Sequence, residues 1–342
     1  MPLLRYDHTT ADWVVFAPLR KLRPHHEASA SAPADEVAAD VTTSCPFCPG
    51  NERMTPPEIY AIRPPNSDRQ SDWRVRVTSN KFPALRIEED HHRVDEGRVF
   101  QMMGGCGAHE VVVESPDHFL FLGQQPAEQV ELVLRAAQAR YVDLLRDKRF
   151  QSVIIFKNHK EAAGTSLHHP HWQIIATPVV PRLLRLKHNE ATEYFDRTGT
   201  SVYRLMMEEE MQAQTRLVCI NRDFVAFVPY AAHLPFETWI LPRDGHTMPF
   251  GRLEGRQMRT LAEILKVVLL KLFVALENPA FNLTIDMPPR GDEEQEYFQW
   301  HIRILPRLST PAGFELGSGM AINTTMPEDA ASFLRNGDRV EL

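Results

Sequence analysis

The sequence predicts an α+β fold in which two diverged halves build one largely antiparallel, pseudo-symmetric sheet flanked by helices. Three observations carry this expectation. Asn80-Lys81-Phe82-Pro83-Ala84 is echoed by Asn221-Arg222-Asp223-Phe224-Val225-Ala226, and Pro116-Asp117-His118 by Asp244-Gly245-His246. His118 lies 53 positions before His171 and His246 lies 55 before His301, which fits a repeated strand–helix–strand–strand unit. Strand-like runs and one long apolar-striped segment also recur in the same order in each half.

Taken in order, residues 25 to 44 are rich in Ala, Ser, Asp and Pro and read as a surface loop. Residues 61 to 73, around Pro64-Pro65-Asn66-Ser67-Asp68, read as another. Trp73 to Thr78 alternates as a strand does, and His109 to Glu114 is a β-branched run suited to a buried strand. Pro126 to Arg146 carries Val130, Leu132, Val133, Leu134, Ala137, Leu144 and Leu145 at helical spacing. Phe150 to Phe156 and Trp172 to Thr177 are the next strands, and residues 187 to 215 form a helical connector. Strands at Phe224 to Val228 and Glu237 to Leu241, a helix at Gly255 to Leu276, and strands at Phe281 to Ile285 and Phe298 to Ile304 complete the pattern. The expected division is 1–186, the connector 187–215, and 216–342.

With 342 residues, 43% hydrophobic and 24% charged, the chain can bury the core of one large domain or two ordinary ones. A formal net charge of −7 argues against a broad basic surface for nucleic acid. The opening residues lack a secretory pattern, and no apolar run approaches the roughly 20 residues of a membrane span. Four cysteines are too few for a disulfide scaffold at this length, so a cytoplasmic location without membrane attachment is expected.

Chemistry concentrates in Gly164-Thr165-Ser166-Leu167-His168-His169-Pro170-His171-Trp172-Gln173, with three histidines in four positions. Proline and the residue before it favour extended geometry, and alternate side chains of an extended segment share a face. His169, His171 and Gln173 therefore point the same way, a face able to bind a metal, attack an electrophile or hold an anion. Cys45-Pro46-Phe47-Cys48 forms a second cluster. Two thiolates so spaced can share a tetrahedral cation. A redox dithiol is the alternative, but it normally opens a helix, whereas Pro49-Gly50-Asn51 follows here. Cys106 and Cys219 lack matching partners and suit small apolar positions.

The motif at His169 to Gln173 resembles the His-Pro-His-x-Gln motif of the galactose-1-phosphate uridylyltransferase family, a branch of the histidine-triad (HIT) superfamily. The resemblance spans nearly the whole chain, from Arg5-Tyr6-Asp7, Trp13-Val14 and Pro18-Leu19-Arg20 with Arg23-Pro24 onward. It implies two HIT-like units, a homodimer, and a zinc site in which His118, within Ser115-Pro116-Asp117-His118, and His169 join Cys45 and Cys48. It also implies that Arg20 and Arg23 face phosphate groups and that Asn80 and Phe82 contact the nucleotide. A metal-free His171 is a competent nucleophile toward the α-phosphorus of a nucleoside diphosphate compound. Gln173, Asn158, Gly164, Thr165 and Ser166 supply donors for the charge that develops on the phosphoryl oxygens.

Histidine-triad hydrolases resemble His-x-His-x-His, with a third histidine where this chain has Gln173. Glutamine cannot protonate a leaving group or assist water, so transfer with ping-pong kinetics is favoured over hydrolysis. The partners expected are a nucleotide-sugar donor and a phosphorylated acceptor. Lys81 replaces an acidic residue of the uridylyltransferases, Arg303 replaces a histidine used by some members in a second metal site, and Phe314 to Gly319 replaces their hexose-binding segment. With Gly107 to Val111 and Thr310 to Glu315, these features look like the ADP-glucose phosphorylase branch, whose donor base is adenine and whose acceptor is inorganic phosphate or a sugar phosphate. A hexose-1-phosphate uridylyltransferase is the first expectation, that phosphorylase the second, and a dinucleotide polyphosphate phosphorylase or hydrolase the third. A zinc-stapled nucleotide-binding protein without turnover is the non-enzymatic alternative, although it would not need His171 and Gln173. The donor set admits zinc or iron.

Overall fold

The computed structural model describes residues 2–22, 42–67, 71–244 and 248–336. Arg23, Pro24, most of the 25–44 loop, Asp68, Gly245 and His246 therefore lie outside the described residues. The chain begins with an antiparallel hairpin of β1 (Leu3–Asp7) and β2 (Asp12–Phe16). Near the C-terminus, β15 (Ile322–Asn323) adds to this hairpin parallel to β2.

Ten strands form one antiparallel sheet. One side contains β3 (Glu58–Ile62), β4 (Val75–Ser79), β7 (Ala108–Val113), β9 (His171–Thr177) and β8 (Ser152–His159). The other contains β10 (Leu217–Ile220), β11 (Phe224–Phe227), β12 (Thr238–Pro242), β14 (His301–Pro306) and β13 (Phe281–Asp286). β8 pairs with β13 at the seam, and the order runs outward as 8-9-7-4-3 on one side and 13-14-12-11-10 on the other. Helix α1 (Ala127–Leu144) follows β7 and helix α4 (Gly255–Ala275) follows β12, so each half repeats the same order. A small exposed hairpin, β5 (Val94–Glu96) with β6 (Phe100–Met102), stands apart.

The period-2 alternation of the strands decides which side chains meet the helices. Trp172, Ile174 and Ala176 are fully buried and join Val133 and Leu134 of α1 and Leu265 and Val268 of α4 in one core. Each aliphatic side chain so buried contributes about 1.5–3 kcal/mol. His171, Gln173 and Ile175 alternate with this set and occupy the opposite face. In the first half the opposite face thus carries polar groups, whereas in the second half Ala191, Tyr203 and Met207 of the 187–215 segment pack on it against Val225, Phe227, Trp239 and Leu241. Cys106 belongs to this core and Cys219 packs against it, as small apolar positions would.

The structure refines or differs from expectation in four places. The 187–215 connector is two helices, α2 (Arg182–Thr198) and α3 (Val202–Ala213), the first ending where Gly199 takes a left-handed φ of +71°. Ala61 and Ile62, expected in a loop, end β3, because Ile62 pairs with Val75 at the sheet edge. Thr42 to Ser44, placed in the first loop, form a helical turn just before Cys45. The β1–β2 hairpin carries no repeated pattern and was not expected as strand. No described helix is long and apolar enough to cross a membrane.

Candidate active site

The outward face of β7 and β9 carries the knuckle. Phe47 packs with Trp73, Val111 and Val113, placing Cys45 and Cys48 against the sheet. The Phe47 amide donates to Cys45 Sγ, and the Asn51 side chain donates to the Cys45 carbonyl at 2.8 Å. His118 and His169 complete a buried group whose four ligand atoms lie within 4.8 Å of one another. Cys48 Sγ is 3.3 Å from His118 Nδ1 and 3.5 Å from His169 Nδ1, and Cys45 Sγ is 3.7 Å from His169 Nδ1. A tetrahedral zinc with ordinary Zn–S and Zn–N bonds separates such atoms by about 3.6 Å, so the donors fit that ion. His169 Nε2–H donates to the Ser115 carbonyl at 2.9 Å, which leaves Nδ1 facing the thiols. The group could hold a metal ion.

His171 follows two residues later on the same face and is only 7% exposed. Its Nδ1–H donates to the His169 carbonyl at 2.8 Å. That bond fixes the tautomer, so Nε2 carries the lone pair and has no protein partner among the described residues. Burial, reinforced by the charge of Lys157, holds the imidazole down to about 4 against the His169 carbonyl bond, so it is neutral at neutral pH. Phe47 packs edge-on to the ring at 5.2 Å, so the knuckle also braces His171 sideways. The ring lines a cavity of about 170 Å³ with Phe119, Phe121, Asn158, Thr165 and Leu167. Lys157 itself is buried and paired with Glu114.

Asn158 lies on β8 beside this cavity, and its Oδ1 accepts from Asn282 of β13 at 2.9 Å. Asn282 also donates to the Ala163 carbonyl at 2.8 Å, so the second half props the turn carrying Gly164 and Thr165. Gly164 has a φ of +92°, a conformation glycine adopts without strain. Thr165 lines the cavity, and Ser166 is exposed on the same turn. Gln173 Oε1 accepts from His109 Nε2 at 2.8 Å, and Asn80 Nδ2 sits 3.1 Å from that same ring nitrogen.

The structure therefore brings together Cys45, Cys48, His118 and His169, and sets His171, Asn158 and Thr165 beside them, with Gln173 two positions further along the same face of β9 and bonded to His109. Asn80 joins through His109 and lines a separate cavity of about 660 Å³. Phe82 is 83% exposed, with its amide bonded to Asn80 Oδ1. Arg20 lies on the turn after β2, in the three-stranded sheet, and makes no described contact with His171 or Gln173. His109 and Asn282 were not singled out from the sequence. His109 sits in a β-branched run that marks a strand but not a partner for Gln173, and Asn282 carries no motif at all.

A sequence profile of the galactose-1-phosphate uridyl transferase N-terminal domain matches residues 1–181. The chain is 33% identical to an ADP-glucose phosphorylase of Arabidopsis thaliana, covering 98% of this chain and 92% of that one. It is 26% identical to a galactose-1-phosphate uridylyltransferase of Thermotoga maritima, covering 97% of each. A crystal structure of an Arabidopsis thaliana ADP-glucose phosphorylase with bound ADP-glucose superposes with a TM-score of 0.83 at 30% identity, covering 98% of this chain and 99% of that chain. A uridylyltransferase structure gives 0.74 at 25% identity, covering 98% of each.

Proposed function

This chain belongs to the galactose-1-phosphate uridyl transferase family, and we propose that it is a nucleotidyltransferase acting on nucleotide sugars through a nucleotidyl–His171 intermediate. The observation that carries this reading is the neutral His171, whose Nε2 lone pair is unengaged among the described residues and whose ring lines a cavity. In the first step Nε2 attacks the α-phosphorus of the donor. The N–P bond forms as the P–O bond to hexose 1-phosphate breaks, and hexose 1-phosphate leaves. In the second step an oxygen of the phosphorylated acceptor attacks the same phosphorus, the N–P bond breaks, and His171 returns neutral. While the imidazole carries the nucleotidyl group it is cationic, and the His169 carbonyl bonded to Nδ1–H stabilises that charge. The Gln173 amide and the donors of Asn158 and the Gly164–Thr165–Ser166 turn serve the phosphoryl oxygens. Arg20, Arg23, Asn80 and Phe82 contact donor or acceptor in this reading.

ADP-glucose is the favoured donor. Support comes from the more similar of the two relatives compared above, and from Lys81 where uridylyltransferases carry an acid. With ADP-glucose, inorganic phosphate or a sugar phosphate accepts the nucleotidyl group. UDP-glucose with a hexose 1-phosphate acceptor is the second reading, supported by the family profile and the Thermotoga relative. Cys45, Cys48, His118 and His169 would hold zinc. A bound zinc would be a structural staple that steadies the backbone aiming His171. The same reading takes the chain as a cytoplasmic homodimer of two HIT-like halves, 1–186 and 216–342, joined by 187–215.

Intact-mass spectrometry after separate incubation with ADP-glucose and UDP-glucose, without acceptor, tests the reaction. An adenylyl adduct that requires His171 supports the favoured donor, and a uridylyl adduct supports the second. Absence of any adduct with either donor overturns the intermediate. Metal analysis of the purified protein, with Cys48→Ser alongside, tests the staple: about one equivalent of zinc per chain is expected, lost in the variant.

A further inference from the structure

His109 lies on β7, one strand over from Gln173 and diagonal to it: Val111 pairs with Gln173, and His109 with Ile175. Both residues belong to the polar face of the sheet. A backbone amide is always a donor, and the Ala84 N–H donates to His109 Nδ1 at 3.1 Å. Nδ1 must therefore be unprotonated, and Nε2 carries the hydrogen. Nε2 lies 2.8 Å from Gln173 Oε1, which accepts from it. Asn80 Nδ2, also a donor, lies against that nitrogen without a bond, because a protonated Nε2 has no lone pair to accept; the Phe82 amide, donating to Asn80 Oδ1 at 2.9 Å, holds Asn80 in that orientation.

The consequence concerns the two ends of the Gln173 amide. They are nearly isosteric, and a half-turn about the last side-chain torsion exchanges them. One end donates and stabilises charge on a phosphoryl oxygen, while the other repels it. With Oε1 held by His109, only the NH₂ end remains free to turn toward a phosphoryl oxygen. We propose that His109 is a positioning residue that locks the orientation of the Gln173 amide, and through Ala84 ties that orientation to the turn that carries Asn80 and Phe82. The proposal rests on the nucleotidyl-transfer reading for its catalytic meaning, but not for the pairing itself.

Four proteins test it: His109→Phe, which keeps a ring but no donor; His109→Gln, which keeps an N–H at similar reach; Gln173→Ala; and the double variant His109→Phe/Gln173→Ala. Nucleotidyl-enzyme formation is followed by rapid quench with ADP-glucose and with UDP-glucose. His109→Phe should lower the maximum rate between about 10- and 100-fold, the range below that of losing a whole transition-state donor. The half-saturating donor concentration should change less than about 3-fold, and His109→Gln should recover most of the lost rate. In the Gln173→Ala background His109→Phe should cost less than about 3-fold, because there is no amide left to orient. An equal loss in both backgrounds, or a loss confined to the half-saturating concentration, overturns the proposal. Denaturation midpoints of the same set give an arm independent of turnover. Non-additive midpoints in a protein that forms no adduct would sink the functional reading and keep the pairing; additive midpoints together with additive rates would sink the pairing.

Discussion

His171 in β9 and His301 in β14 occupy matching places, each on the strand next to the seam strand of its half. Each donates Nδ1–H to the carbonyl two residues earlier, His171 to His169 at 2.8 Å and His301 to Gln299 at 2.9 Å. The strand frame thus presents Nε2 the same way twice. What faces Nε2 differs. In the first half it is a cavity. In the second, Lys187 Nζ donates to His301 Nε2 at 3.2 Å, Asp286 Oδ2 lies 3.5 Å away, and Trp239 stacks on the ring at 4.5 Å, leaving the residue fully buried. Gln173 keeps a neutral amide at its site, whereas its counterpart Arg303 turns its guanidinium to Asp286 at 2.9 Å. Backbone geometry can prepare a nucleophile, but the neighbouring side chains decide whether its lone pair is free.

Three experiments can break or sharpen this contrast. The largest effect belongs to His171→Ala, which should lower nucleotidyl transfer by at least about 10⁴-fold, as removal of a covalent nucleophile does elsewhere. Steady-state assays that find a loss under 10-fold would mean that His171 is no more chemical than His301.

Next comes Asp286→Asn. Asp286 accepts from the buried Lys187 at 2.7 Å and pairs with Arg303, so the change leaves two cations without a counter-charge in the core. A cost of about 3–5 kcal/mol is expected in urea unfolding. The effect should also depend on pH. Despite the opposing cost of burial, Arg303 and Lys187 hold the Asp286 carboxyl well below its ordinary value near 3.8. A carboxyl so depressed contributes stability that is fully present above its unfolded value and is lost as the pH falls below it. The gap between wild type and Asp286→Asn should thus be widest above about pH 5 and narrow below about pH 4. A gap that does not change with pH would show that Asp286, Lys187 and Arg303 are held by packing alone.

His301→Gln should give the smallest effect. It removes a buried ring from beneath Trp239 and should cost about 1–3 kcal/mol, while adduct formation stays within about 3-fold of wild type. Loss of the adduct in a variant that remains folded would place His301 in the chemistry and end the contrast.

Legibility followed sequence distance. The ten-strand sheet was readable in outline because period-2 alternation and the echoed Asn80 and Asn221 segments are local patterns. The edge strand β3 and the β1–β2 hairpin were not, since β3 is only partly buried and the hairpin buries Arg5 and Asp7 as well as Val14 and Phe16, so its apolar patterning is weak. Within the site, the shared face of His169, His171 and Gln173 followed from spacing alone. The choice of His118 as a ligand needed resemblance to a family, because spacing does not name a partner 70 residues from Cys48.

By itself the sequence determined the local chemistry: two thiols on a tight knuckle, a proline-stiffened pair of imidazoles, and an amide two positions on. These follow from backbone geometry over a few residues, which no distant contact needs to supply. Only the tertiary structure decided which groups those side chains meet. His109 reaches Gln173 across 64 residues, Asn282 reaches Asn158 across 124, and Lys187 reaches Asp286 across 99. The first two meetings depend on strand order and register in the assembled sheet, where a slip of one residue would turn those side chains to the other face, and the third on how helix α2 seats Lys187 beside β13.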